Sequence, residues 1–290
     1  MKNRSVSNST RLKEIKKKKR TYLRKKVLVV CMGAFVIFGG LAYLSSLPKI
    51  NIQNIEIIGN KVIDSMPVES LIRSNLEGKY LWMFPKTNSI IYPREKIEKD
   101  LISNFQRMKD INFNLKDLKT LEVSFKEREP KYIWCGEYLP EGEVSDEMKC
   151  YFMDETGYLF DESPFFSGEV YFRFFGPIDN TDSPKGANFS SGEFQNLVIF
   201  KESLKDLDIR PVAIFLKEDK DIEVILSSSQ SLREAPKIIF KSDSDLNKMV
   251  ENLQSALSAD PLRDDFKNKY DSLKYIDLRF GNKVYYKFND

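Results

Sequence analysis

A run of 21 uncharged residues, VLVVCMGAFVIFGGLAYLSSL (27–47), constrains this chain more than any other feature. At about 1.5 Å per helical residue it covers about 31 Å, and a bilayer's hydrocarbon core is about 30 Å thick. The run predicts one membrane-spanning helix, in which Gly33, Gly39 and Gly40 are tolerated because lipid-facing helices carry glycine readily. A cleaved signal peptide is the competing reading. It fits less well, because signal cores run to about 7–15 residues and no convincing A-x-A site follows. A buried helix of a soluble protein fits less well still. Residues 1–26 carry 12 Lys/Arg and a single acid, Glu14. Basic residues stay on the cytoplasmic side, so the N-terminus is expected inside and residues 48–290 outside. A basic run can also bind nucleic acid. Beside a span, orientation and attraction to anionic lipid, about 1 kcal/mol per basic residue, explain it better.

The net charge of +3 hides a division. Residues 1–26 carry +11, so the remaining 34 basic and 42 acidic residues leave −8. A mildly acidic exported part gives no reason to expect a nucleic-acid partner. The chain has no histidine, which excludes Ser-His-Asp and Cys-His catalysis, His-ligated zinc and the commonest general base. Two-carboxylate chemistry stays open. However, the pairs Asp154-Glu155, Asp161-Glu162 and Asp264-Asp265 sit in polar, turn-like stretches, and neighbours on a strand face opposite ways. They read as solvated turns. No Gly-rich phosphate loop and no metal-spaced cysteine cluster appears, so neither a cofactor, a metal nor a small-molecule substrate is expected.

Cys31 lies in the apolar run. Cys135 and Cys150 flank strand-like segments in the exported part, where an oxidising compartment permits a bridge. Closing that loop stabilises by about 3 kcal/mol in the chain-entropy model. Two free buried thiols are the alternative.

The fold class expected is α+β: the spanning helix, a β-α-α-β-β domain over 48–129, and a β-rich domain with two amphipathic helices over 130–290. In the first domain, Ile50, Ile52, Ile55, Ile57 and Ile58 make a β-rich run that stops at the turn signal Gly59-Asn60. A helix follows, capped by Asp64 or Ser65, with Pro67 in its first turn, Val68, Leu71, Ile72 and Leu76 on one face, and Gly78 at its end. A second helix starts at Pro93 and carries Ile97, Leu101 and Phe105 at i, i+4 and i+8. Strands are expected over 111–115 and 120–129, where Leu121, Val123 and Phe125 alternate with Glu122, Ser124 and Lys126. YLWMFP (80–85) reads as a loop folded onto its own core, with a partner surface as the alternative.

In the second domain, KYIWC (131–135) reads as a strand. CYFMDETGYLF (150–160) reads as two strands around Asp154-Glu155-Thr156-Gly157, and EVYFRFFG (169–176) is a third strand region. Residues 178–192 are rich in turn formers and read as a loop. A helix begins near Phe194, a hairpin spans 210–228, PKIIFK (236–241) is a short strand, and 244–258 form an amphipathic helix. The closing run LKYIDLRFGNKVYYKF (273–288) is a hairpin about Gly281-Asn282. Only two residues follow it, so its last strand is expected at a sheet edge, where it can template pairing with another chain.

IEIIGN (55–60), two helices and LEVSFKEREP (121–130), with its Glu127-Arg128-Glu129-Pro130 tail, resemble a polypeptide-transport-associated (POTRA) domain, a protein-binding module. IDLRFGNKV (276–284) resembles the closing motif of the bacterial cell-division family FtsQ/DivIB, and YFMDETGYLF (151–160) resembles its Asp-x-x-Gly hairpin. The order of basic tail, one span, POTRA module and β domain also matches. The Cys135/Cys150 pair, the acidic segment 136–149 and the loop near Ser183 depart from the pattern. The resemblance implies a non-enzymatic division protein of the cell membrane, enriched at the septum, that binds the single-span proteins FtsL and FtsB/DivIC and so helps control septal wall synthesis. The partner-binding residues it implies are Arg279, Phe280, Gly281, Val284 and Tyr285. Arg279 would pair with a partner carboxylate, Phe280 and Tyr285 would be aromatic anchors, and the edge would accept a partner strand; the alternative is that Arg279 is a satisfied surface residue and Tyr285 a core residue. Two other readings have less in their favour: a POTRA-bearing export factor, for which no repeat or barrel-length strand pattern is found, and a carboxylate hydrolase, for which the chain makes no positive case.

Overall fold

The apolar run, up to Ser45, sits in one long helix, α1 (Ser7–Ser45), in a computed structural model that describes residues 7–142, 145–180, 183–190 and 192–289, with side chains from residue 14 onward. The first six residues of the basic tail and parts of the 136–149 and 178–192 loops lie outside that description. Helix α1 is long and apolar enough to cross a membrane. It begins well before Val27 because the Lys/Arg-rich tail has good intrinsic helix propensity and continues the same helix.

Two compact units follow from the packing: residues 1–101 with 110–125, and residues 102–109 with 126–290. A short internal segment, residues 102–109, groups with the second unit. The first unit continues with β1 (Asn54–Ile58), α2 (Ser65–Leu76), the two-residue strands β2 (Lys79–Tyr80) and β3 (Phe84–Pro85), α3 (Arg94–Asn104), β4 (Met108–Leu115) and β5 (Thr120–Glu127). Its main sheet has the order β1-β5-β4, with β1 parallel to β5. Asp64 caps α2 by accepting from the Met66 N–H, satisfying one of the orphan donors of a helix start. Val68 and Ile72 of α2, Ile97 and Leu101 of α3, and Leu121, Val123 and Phe125 of β5 are buried. Their spacing is the helical and strand periodicity of the sequence.

The β2–β3 hairpin corrects one expectation. YLWMFP does not fold onto its own core: Leu81 is 72% and Trp82 94% exposed. Both adopt left-handed backbone, at φ 47° and 59°.

The second unit is built on β6 (Tyr132–Trp134), β7 (Cys150–Met153), β8 (Leu159–Ser163), β9 (Phe172–Phe175), β10 (Pro211–Leu216), β11 (Asp221–Leu226), β12 (Lys237–Lys241), β13 (Leu273–Phe280) and β14 (Lys283–Phe288). They join in one mixed sheet of order β14-β13-β12-β11-β10-β9-β6-β7-β8. Three helices belong to it: α4 (Phe194–Lys205), α5 (Leu246–Ser258) and α6 (Leu262–Asn268). The sequence pattern anticipates α4 and α5 but not α6, which is too short for a 3.6-residue period to stand out. Asp264 and Asp265 accordingly lie in the first turn of α6, and Asp161 and Glu162 lie on β8. Neither pair is in a turn. For Asp264 and Asp265 the place near a helix start is electrostatically favourable.

Register shows how the sheet divides its faces. One row runs Trp134, Phe174, Ile214, Val224, Ile238, Ile276, Tyr286 across seven strands. These side chains belong to or pack on the larger core, with Phe194, Leu197 and Phe200 of α4 and Met249 and Leu253 of α5. The opposite face has a smaller core around Ile133, Phe152, Phe160, Phe175, Val212 and Ile225. Cys135 and Cys150 lie in it, and they are bonded to each other.

Gly157 ends the turn between β7 and β8 at φ 87°, and a Cβ there would meet the Phe194 ring at 2.9 Å. Only glycine satisfies both conditions. Gly157→Ala is expected to lower stability by about 3 kcal/mol, combining backbone strain with overpacking, read as a shift in the urea midpoint of the detergent-solubilised protein. Reduction of Cys135–Cys150 is expected to cost about 3 kcal/mol by releasing the closed loop; an unchanged midpoint in dithiothreitol would show that the bond contributes nothing.

Candidate functional site

Two places in the second unit concentrate charge and exposed aromatic surface. The first is the β7–β8 turn. Asp154 is fully buried. Its Oδ1 accepts from the Thr156 N–H at 2.8 Å, the Thr156 hydroxyl at 2.6 Å and the Tyr158 N–H at 3.2 Å. Its Oδ2 accepts from Arg128 Nη1. Arg128 also donates to the Gln106 carbonyl at 3.1 Å, and its guanidinium lies 4.1 Å from the centroid of the Tyr158 ring. Around this pair, Arg107 meets Asp161 at 3.0 Å and Lys109 meets Glu155 at 2.7 Å. Burial pushes the Asp154 carboxyl up, but the Thr156 hydroxyl and N–H and the Arg128 charge outweigh it, and the net shift is downward. Each carboxylate of this turn is held by a cation or a backbone N–H, which makes it a structural knot. Among the described residues, no group of three His, Cys, Asp or Glu side chains is placed to hold a metal ion.

The second place is the β13–β14 hairpin. β14 ends the nine-stranded sheet and, among the described residues, pairs with β13 alone. The bend at Gly281, φ 66°, closes the hairpin, and its carbonyl accepts from Asn252 Nδ2 of α5 at 2.9 Å. Alternation sorts β14 by face. Val284, Tyr286 and Phe288 pack on the larger core, so Lys283, Tyr285 and Lys287 face the other way. Tyr285 is 48% and Phe280 56% exposed, and their rings meet edge to face at 5.1 Å.

On that outer face a second row runs Phe215, Glu223, Ile239, Asp277, Tyr285. Its acids are already paired. Glu223 is held by Lys217 at 2.5 Å and Lys237 at 2.9 Å. Burial raises its pKa, but the two lysines lower it further, for a net depression. Arg279 donates from Nε and Nη2 to Asp277 and from Nη1 to Asp221. Those hydrogen bonds, to Asp277 first, hold its pKa above the usual arginine value.

The five sequence-derived residues thus converge on one hairpin. Arg279 is held by two carboxylates of its own chain, which is the alternative the sequence left open for it, and Val284 is half-buried against the core. Phe280 and Tyr285 are the exposed side chains. The sequence reading missed Asp277 and Asp221. The Asp-x-Arg spacing was a signal for the first, since residues i and i+2 share a face of a strand; nothing local signals the second, which lies 58 residues away.

Depressed carboxylate pKa values set a sign for pH dependence. Asp154 and Glu223, usually near 3.8 and 4.5, ionise more readily in the folded chain. Their contribution is complete above those values and is lost as pH falls through the lower folded ones. Urea midpoints are expected to be flat from about pH 6 to 5 and to fall below about pH 4. Arg128→Met is expected to cost about 3 kcal/mol at pH 7, because it leaves a buried carboxylate without its cation, and to make the acid loss shallower. An acid profile identical to that of the unaltered protein would contradict the assignment. Compared with known proteins, the chain matches no family model and no curated protein.

Proposed function

We propose that this chain is a membrane-tethered, non-enzymatic scaffold of the bacterial cell-division machinery, of the FtsQ/DivIB kind, and that β14 is the strand on which it receives its partners. The observation that carries the reading is the free edge of β14 beside the exposed Phe280–Tyr285 pair. A free strand edge offers a row of backbone donors and acceptors, and an added strand satisfies them while alternate side chains give specificity. The exposed aromatic pair supplies the anchor area that interface hot spots favour. The partners the resemblance implies are FtsL-like and FtsB/DivIC-like single-span proteins. In this reading the first unit after α1 is a POTRA module, residues 1–26 are cytoplasmic, residues 48–290 are outside, and the protein is enriched at the septum. The occupied carboxylates and the lack of histidine support a binding role over a hydrolytic one.

The test is binding of the full-length detergent-solubilised protein to a co-expressed FtsL-like and FtsB/DivIC-like pair. Phe280→Ala with Tyr285→Ala is expected to weaken binding by about 30-fold, roughly 2 kcal/mol, at unchanged urea midpoint. Undiminished binding would remove β14 as the docking edge. Charge reversal at Arg279 is a poor probe of this surface, because it strands Asp277 and Asp221 and so reports on folding.

A further inference from the structure

The first unit presents an apolar hairpin beside the spanning helix, and its height along that helix is set by hydrogen bonds. Asn88 Nδ2 donates to both the Ser45 carbonyl and the Ser45 hydroxyl, at 3.0 and 3.1 Å. Asn51 Nδ2 donates to the Ser45 and Leu47 carbonyls at 3.0 and 2.7 Å, and the Thr87 hydroxyl donates to Asn51 Oδ1 at 2.7 Å. These contacts satisfy carbonyls that a helix end otherwise leaves unpaired. Below them, Ala42 is buried and the Phe84 ring of β3 meets the Phe38 ring of α1 edge to face at 5.1 Å.

Depth follows from the rise of the helix. Phe38 lies seven residues before Ser45, about 10 Å along the axis. With Lys26 at one boundary of an apolar core about 30 Å thick, the other boundary falls near Ser45 or Ser46. Phe38 therefore lies within the half of the bilayer that α1 leaves through, and Phe84 touches it there. The β2–β3 turn displays Leu81 and Trp82 almost bare, on two consecutive left-handed residues that are not glycine. Tight hairpins normally place Asn or Gly at such positions. Strain of this kind persists where the surroundings or a function require it. Ile90, 78% exposed, follows Asn88 in the same stretch.

From this geometry we propose that the β2–β3 hairpin is a second membrane contact of the leaflet from which α1 emerges, with Phe84 within the acyl region beside Phe38 and Leu81 and Trp82 in lipid between that depth and the headgroup–acyl boundary. The occupant is lipid because the hairpin is joined to the spanning helix at lipid depth. Trp and Tyr favour that boundary. Lys79 and Lys86 lie at the two ends of the hairpin, and lysines so placed can lay their stems along apolar surface and carry their ammonium groups to lipid phosphates. The hairpin fixes the rotation and tilt of the first unit against the membrane, which a single helix leaves free.

The proposal rests on α1 spanning the bilayer, and the experiment separates the two. The chain has two tryptophans, Trp82 and Trp134, and Trp134 is buried. The full-length protein and its Trp82→Phe variant are reconstituted in phosphatidylcholine/phosphatidylglycerol vesicles with and without brominated acyl chains. The difference between the two emission spectra reports Trp82. Expected is a blue-shifted difference spectrum that bromolipid largely abolishes and that aqueous iodide leaves unchanged. Iodide quenching without bromolipid quenching would overturn the hairpin contact. So would resistance to both quenchers, which would mean that protein covers the residue. Retention of the protein in the vesicles at alkaline pH, in either of those cases, leaves the spanning helix standing. Release at alkaline pH would overturn the span and the hairpin contact together.

Discussion

A buried carboxylate organises the second unit. Asp154 closes the β7–β8 turn through Thr156 and Tyr158, and the same group accepts Arg128 just after β5 ends. An ionised group without exposure is costly unless every lone pair has a partner. Here the partners come from both the turn and the incoming chain, so neither can shift without exposing a charge to an apolar surround. Gly157 is bound to the same requirement, because the turn that presents the N–H groups brings its backbone against Phe194.

The nine-stranded sheet repeats that logic at its other end. The row facing the helices is apolar from Trp134 to Tyr286, whereas the opposite row turns from Phe215 to Glu223 and Asp277 as it approaches β14. Each acid on it is matched by lysine or arginine from a neighbouring strand or from β13 itself. The acids of the outer face near β14 are thus paired, while the exposed Lys283 and Lys287 on that side of β14 add positive charge to it. Two exposed rings and a strand edge lie beside those lysines.

Much of this architecture was legible in the sequence because its signals are local and periodic. The 21-residue apolar run, the cap at Asp64, the alternation of Leu121, Val123 and Phe125, and the Gly281-Asn282 hairpin each depend on residues a few positions apart. The misses have a common cause. Helix α6 spans under two turns, too short for a period to register. The exposure of Leu81 and Trp82 was unreadable because an apolar loop has the same composition whether it folds inward or outward. The choice between the two readings of Arg279 was not legible because its second carboxylate, Asp221, arrives from a distant strand.

By itself the sequence determined that one helix is long and apolar enough to cross a bilayer, that histidine-dependent chemistry is excluded, and where most strands and helices begin. Those outcomes follow from hydrophobic length, residue inventory and short-range periodicity. Only the tertiary structure decided that nine separate strands join one mixed sheet, that β14 ends it, that Arg279 is occupied from within, and that in the Tyr80–Pro85 segment Phe84 meets α1 while Leu81 and Trp82 stay exposed. Strand order and partner choice depend on contacts between residues tens of positions apart, which no local pattern encodes.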